Sequence, residues 1–567
     1  MKFFKLSRIN ILSLAIFFVA FLLISRLYFL QVMNGEAFSD QADRQYTAPN
    51  KSIFSRGSVY FQDKDGQLVS AATLKTGYTL AINPKVLEDP QGAYEQLSEI
   101  VEIDSGIFFS KANKKDDPYE EILIRQSKEI ADQIDGLGIE GVRMYKQRWR
   151  FYPGGTLASH SLGFLGFIGD DIEGRYGIEK YYNDLLQRKD DNLYVNFFAE
   201  VFSNIGDSVS GGKKEGDVIL GIEPSVQSFL ETELEKVSQK FETESAMGVI
   251  MDPNDGKIYA LAVNPNFDLN DFAHEETATF SNPFVENVFE MGSIIKALTM
   301  AIGLDTGAVT AETTYDDKGY LILNGSKISN YDGRGRGVVP MQEVLNQSLN
   351  TGVSFVVSQV GNEKFADYML DLGIGEETGI DLPNETYGLV SNLESTRDLE
   401  YATASFGQGI ALTPVETVRA LSALANGGKL ITPHLSTGIK YRIGLSRELL
   451  YDEGKRVFKE STSDEITRML VKVVDDALMG GTVKMDNYSI AAKTGTAQMA
   501  KEDGRGYYDD QYLHSFFGYF PAYEPRFITF FYIVNPRGEA YASHTLTEPF
   551  MNTTKFLINY YEIPPDR

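Results

Sequence analysis

Cysteine is absent from the 567 residues. Its absence excludes a disulfide framework, a thiol nucleophile and any thiolate-ligated metal. Histidine is scarce, five in all, and no pair has metal-ligand spacing such as H-E-x-x-H, so no metal and no cofactor are expected. Positive charge is in deficit: 53 Lys and Arg stand against 79 Asp and Glu, a formal net charge of −26. A surface of that sign repels nucleic acid and anionic headgroups. The acidic residues are spread along the chain and read as a solvated exterior. The lone Trp149, between Arg148 and Arg150, therefore does not read as a nucleic-acid patch. No low-complexity tract and no solenoid-length repeat is present.

Hydrophobic residues make up 43% and charged residues 23% of the chain, enough apolar matter for buried cores. One run stands apart. Ile9 to Ile24 is almost wholly apolar, and the character resumes over Leu27-Tyr28-Phe29-Leu30. Together these approach the ~20 residues that a spanning helix needs. Lys2, Lys5 and Arg8 precede the run, so residues 1–8 are expected to stay in the cytoplasm, 9–30 to span, and the rest to lie outside. A cleavable signal peptide is the rival reading. It needs small residues at a cleavage site, and Tyr28 to Met33 offers none.

Residues 31–215 read as one mixed N-terminal domain. It has a hairpin turn at Asp63-Lys64-Asp65-Gly66, strong turn punctuation at Tyr152-Pro153-Gly154-Gly155, and a linker of Ser, Gly and Lys over Ser208 to Glu215. The texture changes over 216–567. Val218-Ile219-Leu220 is a short strand, and Pro224 to Lys240 has helical periodicity. Ala246 to Met251 and Ile258 to Val263 form a hairpin across Asp252-Pro253-Asn254-Asp255-Gly256. Three strand-like runs come late, Tyr488 to Gln498, Ser515 to Phe520 and Phe527 to Val534, before a closing helix over Glu548 to Tyr561. Strands on either side of a helical middle, Ser293 to Val474, predict an α+β domain with one antiparallel sheet.

Three elements could carry chemistry. Gly292-Ser293-Ile294-Ile295-Lys296 opens an apolar helix, with Lys296 one turn from Ser293 on the same face. A serine hydroxyl needs a base, and a neutral amine at that spacing could serve. Lowering a lysine from ~10.4 to near ~7 requires burial or a neighbouring cation, so Lys296 is expected to be buried beside one. Ser348-Leu349-Asn350 offers a second hydroxyl to relay a proton and an amide to hold a peptide group. Lys493-Thr494-Gly495-Thr496 lies in a late strand. Its cation and hydroxyls suit a carboxylate, Gly495 leaves room for a peptide pairing with the strand edge, and a backbone N–H near Thr496 could join that of Ser293 as an oxyanion hole.

Single matches are weak. Ser210-Gly211-Gly212-Lys213 repeats S-x-x-K but reads as linker, and Lys75-Thr76-Gly77 repeats K-T-G but reads as a turn. The ordered set in context is far more specific. It resembles class B penicillin-binding proteins, whose signature is S-x-x-K, S-x-N and K-T-G. The resemblance covers nearly the whole chain. It takes in Arg56-Gly57, Tyr152-Pro153-Gly154 to Gly163, Gly177-Ile178-Glu179, and Phe406-Gly407-Gln408-Gly409 before Thr413-Pro414.

The resemblance implies a transpeptidase domain built on a five-stranded antiparallel sheet with helices on both sides. An elongated N-terminal pedestal and one transmembrane helix would precede it. It implies Ser293 as the acylated serine, Lys296 as base, and Ser348 and Asn350 as relay and clamp. Lys493, Thr494, Gly495 and Thr496 would hold the substrate carboxylate. The implied reaction is acyl transfer from a D-alanyl-D-alanine stem peptide, open to covalent β-lactam inhibition, with a membrane glycan polymerase as partner. A D,D-carboxypeptidase, a β-lactam-hydrolysing or sensing protein, and a non-enzymatic scaffold are the alternatives. Met291 replaces the usual proline before Gly292, and Glu223 the usual aspartate after the first strand. No glycosyltransferase motif is seen in residues 34–212. His160 and His514 are expected to be structural.

Overall fold

The computed structural model describes residues 54–169, 171–188, 215–442, 445–501 and 506–567. The expected cytoplasmic tail, the spanning segment 9–30 and the linker serine Ser210 lie outside the described residues. Among the described residues no helix is long and apolar enough to cross a membrane.

The described chain forms two compact units, one of Leu74–Trp149 with the residues up to Ser55, the other of Arg56–Thr73 and Arg150–Arg567. The smaller unit packs helices Pro90–Ser98, Ser105–Ala112 and Lys128–Gly136 around Leu80, Leu97, Phe108 and Ile134. Each helix starts where a short polar side chain, Asp89, Asp104 or Ser127, accepts a hydrogen bond from a first-turn N–H. Lys75-Thr76-Gly77 sits inside the strand Leu68–Ile82, not in a turn as the sequence reading had it. The threonine and aromatic content around it, Thr73 to Tyr78, favours extended backbone over the isolated glycine.

In the larger unit, α1 (Pro224–Phe241) leads into β1 (Ser245–Met251) and β2 (Ile258–Asn264). The buried helices α2 (Ile295–Asp305) and α3 (Asn350–Val360) follow. Then come β3 (Ala491–Ala500), β4 (Tyr507–Phe520), β5 (Phe527–Val534) and α4 (Thr547–Tyr560). The strands form one antiparallel sheet in the order β3-β4-β5-β1-β2. Successive residues feed opposite cores. Met247, Val249, Phe530 and Tyr532 join α2 and α3 on one face, while Ala246, Ile250, Phe531 and Ile533 join α1 and α4 on the other. A sheet covered on both faces has no polar side to show, which is why these strands read as continuous apolar runs. α2 is likewise buried nearly all round and is apolar apart from Lys296, Thr299 and Asp305.

The sequence reading shortened β4. Its first residues, Tyr507-Tyr508-Asp509-Asp510, are half-buried or exposed and carry no apolar signal, so His514 lies inside the strand rather than opening it. The helical middle also contains two small antiparallel pairs, Thr314–Asp317 with Gly337–Pro340 and Tyr320–Leu323 with Ser326–Ser329. The short strand read over Val218 to Leu220 spans Gly216–Leu220 and pairs in parallel with Val59–Gln62 and antiparallel with Ser436–Tyr441.

The segments around Arg56, Tyr152 and Glu179 meet in one buried cluster. Glu179 Oε2 accepts from Arg56 Nε at 2.7 Å and Oε1 from Arg150 Nε at 2.5 Å, while Arg150 Nη1 donates to the Gly57 carbonyl at 2.6 Å. Burial alone would raise the Glu179 carboxyl; the two guanidiniums outweigh it and hold the group below the usual carboxylate range. Glu179→Gln leaves both cations buried without a counter-charge, and an expected loss of about 3–5 kcal/mol follows. Urea unfolding measures it. The wild-type advantage is present above the unfolded carboxyl value of 4.5 and vanishes as pH falls through the lower folded value.

Candidate active site

The chain enters the site through a tight turn. Met291 is helical, Gly292 takes φ +65°, a single 3-10 turn spans Gly292–Ile294, and α2 begins at Ile295. This turn is held from two sides. Phe289 exchanges backbone hydrogen bonds with Leu412 at 2.9 and 2.8 Å, and Gly292 N–H donates to the Gly407 carbonyl at 3.1 Å. A methyl at residue 407 would lie 2.3 Å from the Gly292 oxygen, so the loop Phe406-Gly407-Gln408-Gly409 can approach only because Gly407 has no side chain. From β4, the Ser515 hydroxyl donates to the Met291 carbonyl at 2.7 Å.

Gly495 also meets a constraint that the sequence does not display. A methyl there would lie 2.3 Å from Ser515 Oγ and 2.8 Å from the Met291 carbonyl. Its bare face lets β3 press against the turn carrying Ser293. Gly495 is accordingly the one member of the predicted set that does not line the cavity.

That cavity has a volume of about 1350 Å³, and Ser293, Lys296, Ser348, Asn350, Lys493, Thr494 and Thr496 all contribute to its wall. Three segments some 50 to 150 residues apart in the chain thus converge. Lys296 Nζ donates to the Ser348 carbonyl at 2.6 Å and to Ser348 Oγ at 3.1 Å. Lys493 Nζ reaches the same Oγ at 3.1 Å and its neighbour's carbonyl, Thr494 O, at 2.9 Å. Ser348 has φ +53°, a left-handed conformation costing on the order of 1–3 kcal/mol for a residue with a side chain. The lysine bond to its carbonyl helps hold it there. Asn350 Nδ2 donates to the Ser329 carbonyl at 2.8 Å. Thr496 Oγ1 accepts from the Ala542 N–H at 3.1 Å.

Both amines are buried, 1% exposed for Lys296 and 3% for Lys493. Neither is in a salt bridge among the described residues. Burial, and then the charge of Lys493, push the Lys296 amine well below its usual 10.5. Burial brings Lys493 down to about 7. In this pair Lys296 releases its proton first, because only one of two adjacent amines can keep its charge cheaply.

Sequence reasoning missed the outer wall. Tyr331 and Tyr541 meet edge to face with centroids 6.0 Å apart, and Gln498, Tyr512 and His544 line the same cavity. Isolated polar and aromatic residues on separate loops carry no spacing signal that marks them out. His160 and His514 both lie outside that wall. His160 Nε2 pairs with the Thr279 carbonyl at 2.9 Å and its ring packs against Phe267; His514 Nδ1 pairs with Thr545 Oγ1 at 2.9 Å. Among the described residues no group of three or more His, Asp or Glu could hold a metal.

The profile of the penicillin binding protein transpeptidase domain matches residues 246–554, over half the chain, and that of the penicillin-binding protein dimerisation domain matches 54–197. Stage V sporulation protein D of Bacillus subtilis is 29% identical over 545 residues, covering 94% of this chain and 82% of that protein. The probable peptidoglycan D,D-transpeptidase PenA of Neisseria gonorrhoeae is 28% identical over 548 residues, with 95% and 90% covered. Among solved structures, penicillin binding protein 2X of Streptococcus thermophilus superposes with a TM-score of 0.72 at 19% identity, covering 89% of this chain and 79% of that one. Penicillin binding protein 3 of Mycobacterium tuberculosis, complexed with ampicillin, gives 0.69 at 21% identity, with 91% and 97% covered. The chain belongs to the penicillin-binding transpeptidase family.

Proposed function

We propose that this chain is a class B penicillin-binding protein, a serine D,D-transpeptidase that cross-links peptidoglycan stem peptides and is acylated by β-lactams. The observation that carries the reading is the pair of buried amines meeting at Ser348 Oγ beside Ser293. A neutral Lys296 takes the proton of Ser293 Oγ as that oxygen attacks the carbonyl between two D-alanines. The N–H groups of Ser293 and Thr496 receive the developing oxyanion. The C–N bond breaks, and the proton passes from Lys296 through Ser348 to the departing D-alanine amine. Lys493, still charged, and the hydroxyls of Thr494 and Thr496 hold the terminal carboxylate. With its Nδ2 on Ser329, Asn350 turns its carbonyl oxygen toward a substrate N–H. An acceptor amine then attacks the ester; Lys296 takes its proton and returns it to Ser293 Oγ as the Oγ–C bond breaks, which regenerates the free serine. Residues 216–567 carry the chemistry on a pedestal of 31–215. A single anchor over 9–30 places both outside the cell membrane, within reach of a membrane glycan polymerase.

The test is to incubate the full chain in detergent with a fluorescent penicillin, then with a stem pentapeptide and an amine acceptor. A long-lived adduct, D-alanine release and a cross-linked dimer are expected. Tetrapeptide without dimer would make it a carboxypeptidase, and rapid decay of the adduct a β-lactam hydrolase. No labelling and no D-alanine release would sink the reading.

A further inference from the structure

Asp317 belongs to no motif, yet four donor groups converge on its carboxylate, which is 2% exposed. The Gly319 N–H and Thr351 Oγ1 donate to Oδ1 at 2.9 and 2.8 Å, and the Arg336 N–H donates to Oδ2 at 3.0 Å. Asn330 Nδ2 reaches both oxygens at 3.0 Å. None of these atoms touches Ser348 or Asn350, and Asp317 does not line the cavity. Of its donors, Asn330 lines the cavity itself and Thr351 adjoins a residue that does. Thr351 follows Asn350 in the first turn of α3, and Asn330 follows Ser329, whose carbonyl holds the Asn350 amide. Asn330 Oδ1 closes the ring by accepting from the Thr351 N–H at 3.2 Å. Asn350 is therefore pinned on both sides by residues that Asp317 ties together, and Ser348 lies two residues before it in its left-handed conformation.

We propose that Asp317 is a positioning residue for the acylation step: it sets the register of the Ser329–Asn330 segment against the start of α3 and so fixes Ser348 and Asn350. The inference rests on the transpeptidase reading. A carboxylate is required because every group facing it is a donor, and only a group with acceptors on both oxygens meets them all. A carboxamide at 317 would set its NH₂ against Asn330 Nδ2 or the Arg336 N–H, leaving a buried donor unpaired. Exchanging the two side chains restores a donor facing an acceptor across the 317–330 pair, but the NH₂ of a carboxamide at 317 still meets a backbone N–H, of Gly319 or of Arg336, so the rescue is partial.

The test uses the full chain and saturation kinetics of acylation by a fluorescent penicillin, separated into the dissociation constant and the acylation rate constant, with thermal unfolding followed in parallel. Asp317→Asn is expected to lower the rate constant about tenfold or more, since small misplacements of reacting groups carry effects of that size, with little change in the dissociation constant. Thr351→Val should move it the same way by less. The exchange Asp317→Asn with Asn330→Asp should recover part of the lost rate, acylating faster than Asp317→Asn alone, because the contact between the two side chains is restored while one backbone N–H stays unpaired. A folded Asp317→Asn protein that acylates like wild type overturns the inference. If that variant does not fold, Thr351→Val at the full wild-type rate overturns it equally. No labelling of wild type removes the transpeptidase reading and this inference together; normal wild-type labelling with an unaffected Asp317→Asn removes the inference alone.

Discussion

Ser293→Ala is expected to abolish the covalent penicillin adduct while leaving the fold and its unfolding temperature close to wild type. The adduct is an ester to Ser293 Oγ, so removing that atom removes the product itself rather than slowing its formation. Turnover of a stem peptide should fall on the order of a million-fold, the scale seen when a serine enzyme loses its nucleophile. Stability should barely move, because the side chain is only half-buried and the turn around it is held by backbone bonds with Gly407 and Leu412 and by the Ser515 hydroxyl. Gel fluorescence and mass spectrometry of the labelled chain check it. An adduct surviving at Ser348 or elsewhere would reassign the nucleophile.

Lys296→Met should separate activity from stability. Methionine has nearly the length of lysine without its charge or its labile proton. Loss of a general base lowers rates by about 10²–10⁴-fold, and acylation should fall by that factor. Folding should gain about 1–3 kcal/mol, because a buried amine with no carboxylate partner is removed from beside Lys493. The sign with pH follows from the lowered folded-state values. The unfolded chain holds a proton on Lys296 up to its usual 10.5, while the folded chain releases it well below that. Between the folded value and 10.5 the unfolded state binds more protons, so wild-type stability rises with pH across that window. The slope should be shallower in Lys296→Met. Acylation in wild type should climb with pH as Lys296 is freed of its proton. It should then decline as Lys493, brought down to about 7, loses the charge that holds a carboxylate. Lys493→Arg should remove that declining limb, since a guanidinium stays charged. A flat profile in wild type would contradict the roles given to both amines.

Some of this was legible in the chain and some was not, for identifiable reasons. The hairpin of β1 and β2 announced itself because Asp252-Pro253-Asn254-Asp255-Gly256 punctuates two apolar runs. The start of α2 was visible because Gly292 and the apolar stretch behind it set a helix boundary. The polar beginning of β4 was invisible, since Tyr507-Tyr508-Asp509-Asp510 extends past the buried part of the sheet and has no apolar face to display. The motif-like Lys75-Thr76-Gly77 was misread as a turn because an isolated glycine looks the same locally in a strand and in a bend. Asp317 gave no signal, as an aspartate between Asp316 and Lys318 reads as solvated until its four donor groups are brought around it.

By itself the sequence determined the identity and local spacing of the reactive groups. Ser293 and Lys296 share a helical face because of 3.6-residue periodicity, and Lys493 to Thr496 are extended because they lie in an apolar strand. It also determined the family, through an ordered set of motifs that no single match could carry. Only the tertiary structure decided what those groups can do together. The second cation beside Lys296 comes from a strand nearly 200 residues later, and both amines meet at one serine hydroxyl contributed by a third segment. Burial and charge act through space rather than along the chain, so the lowered amine values exist only once sheet, helices and loops have closed around them. Gly495 shows the same division: its presence is read from the motif, and its reason, close contact of β3 with Ser515 and the Met291 carbonyl, appears only in three dimensions.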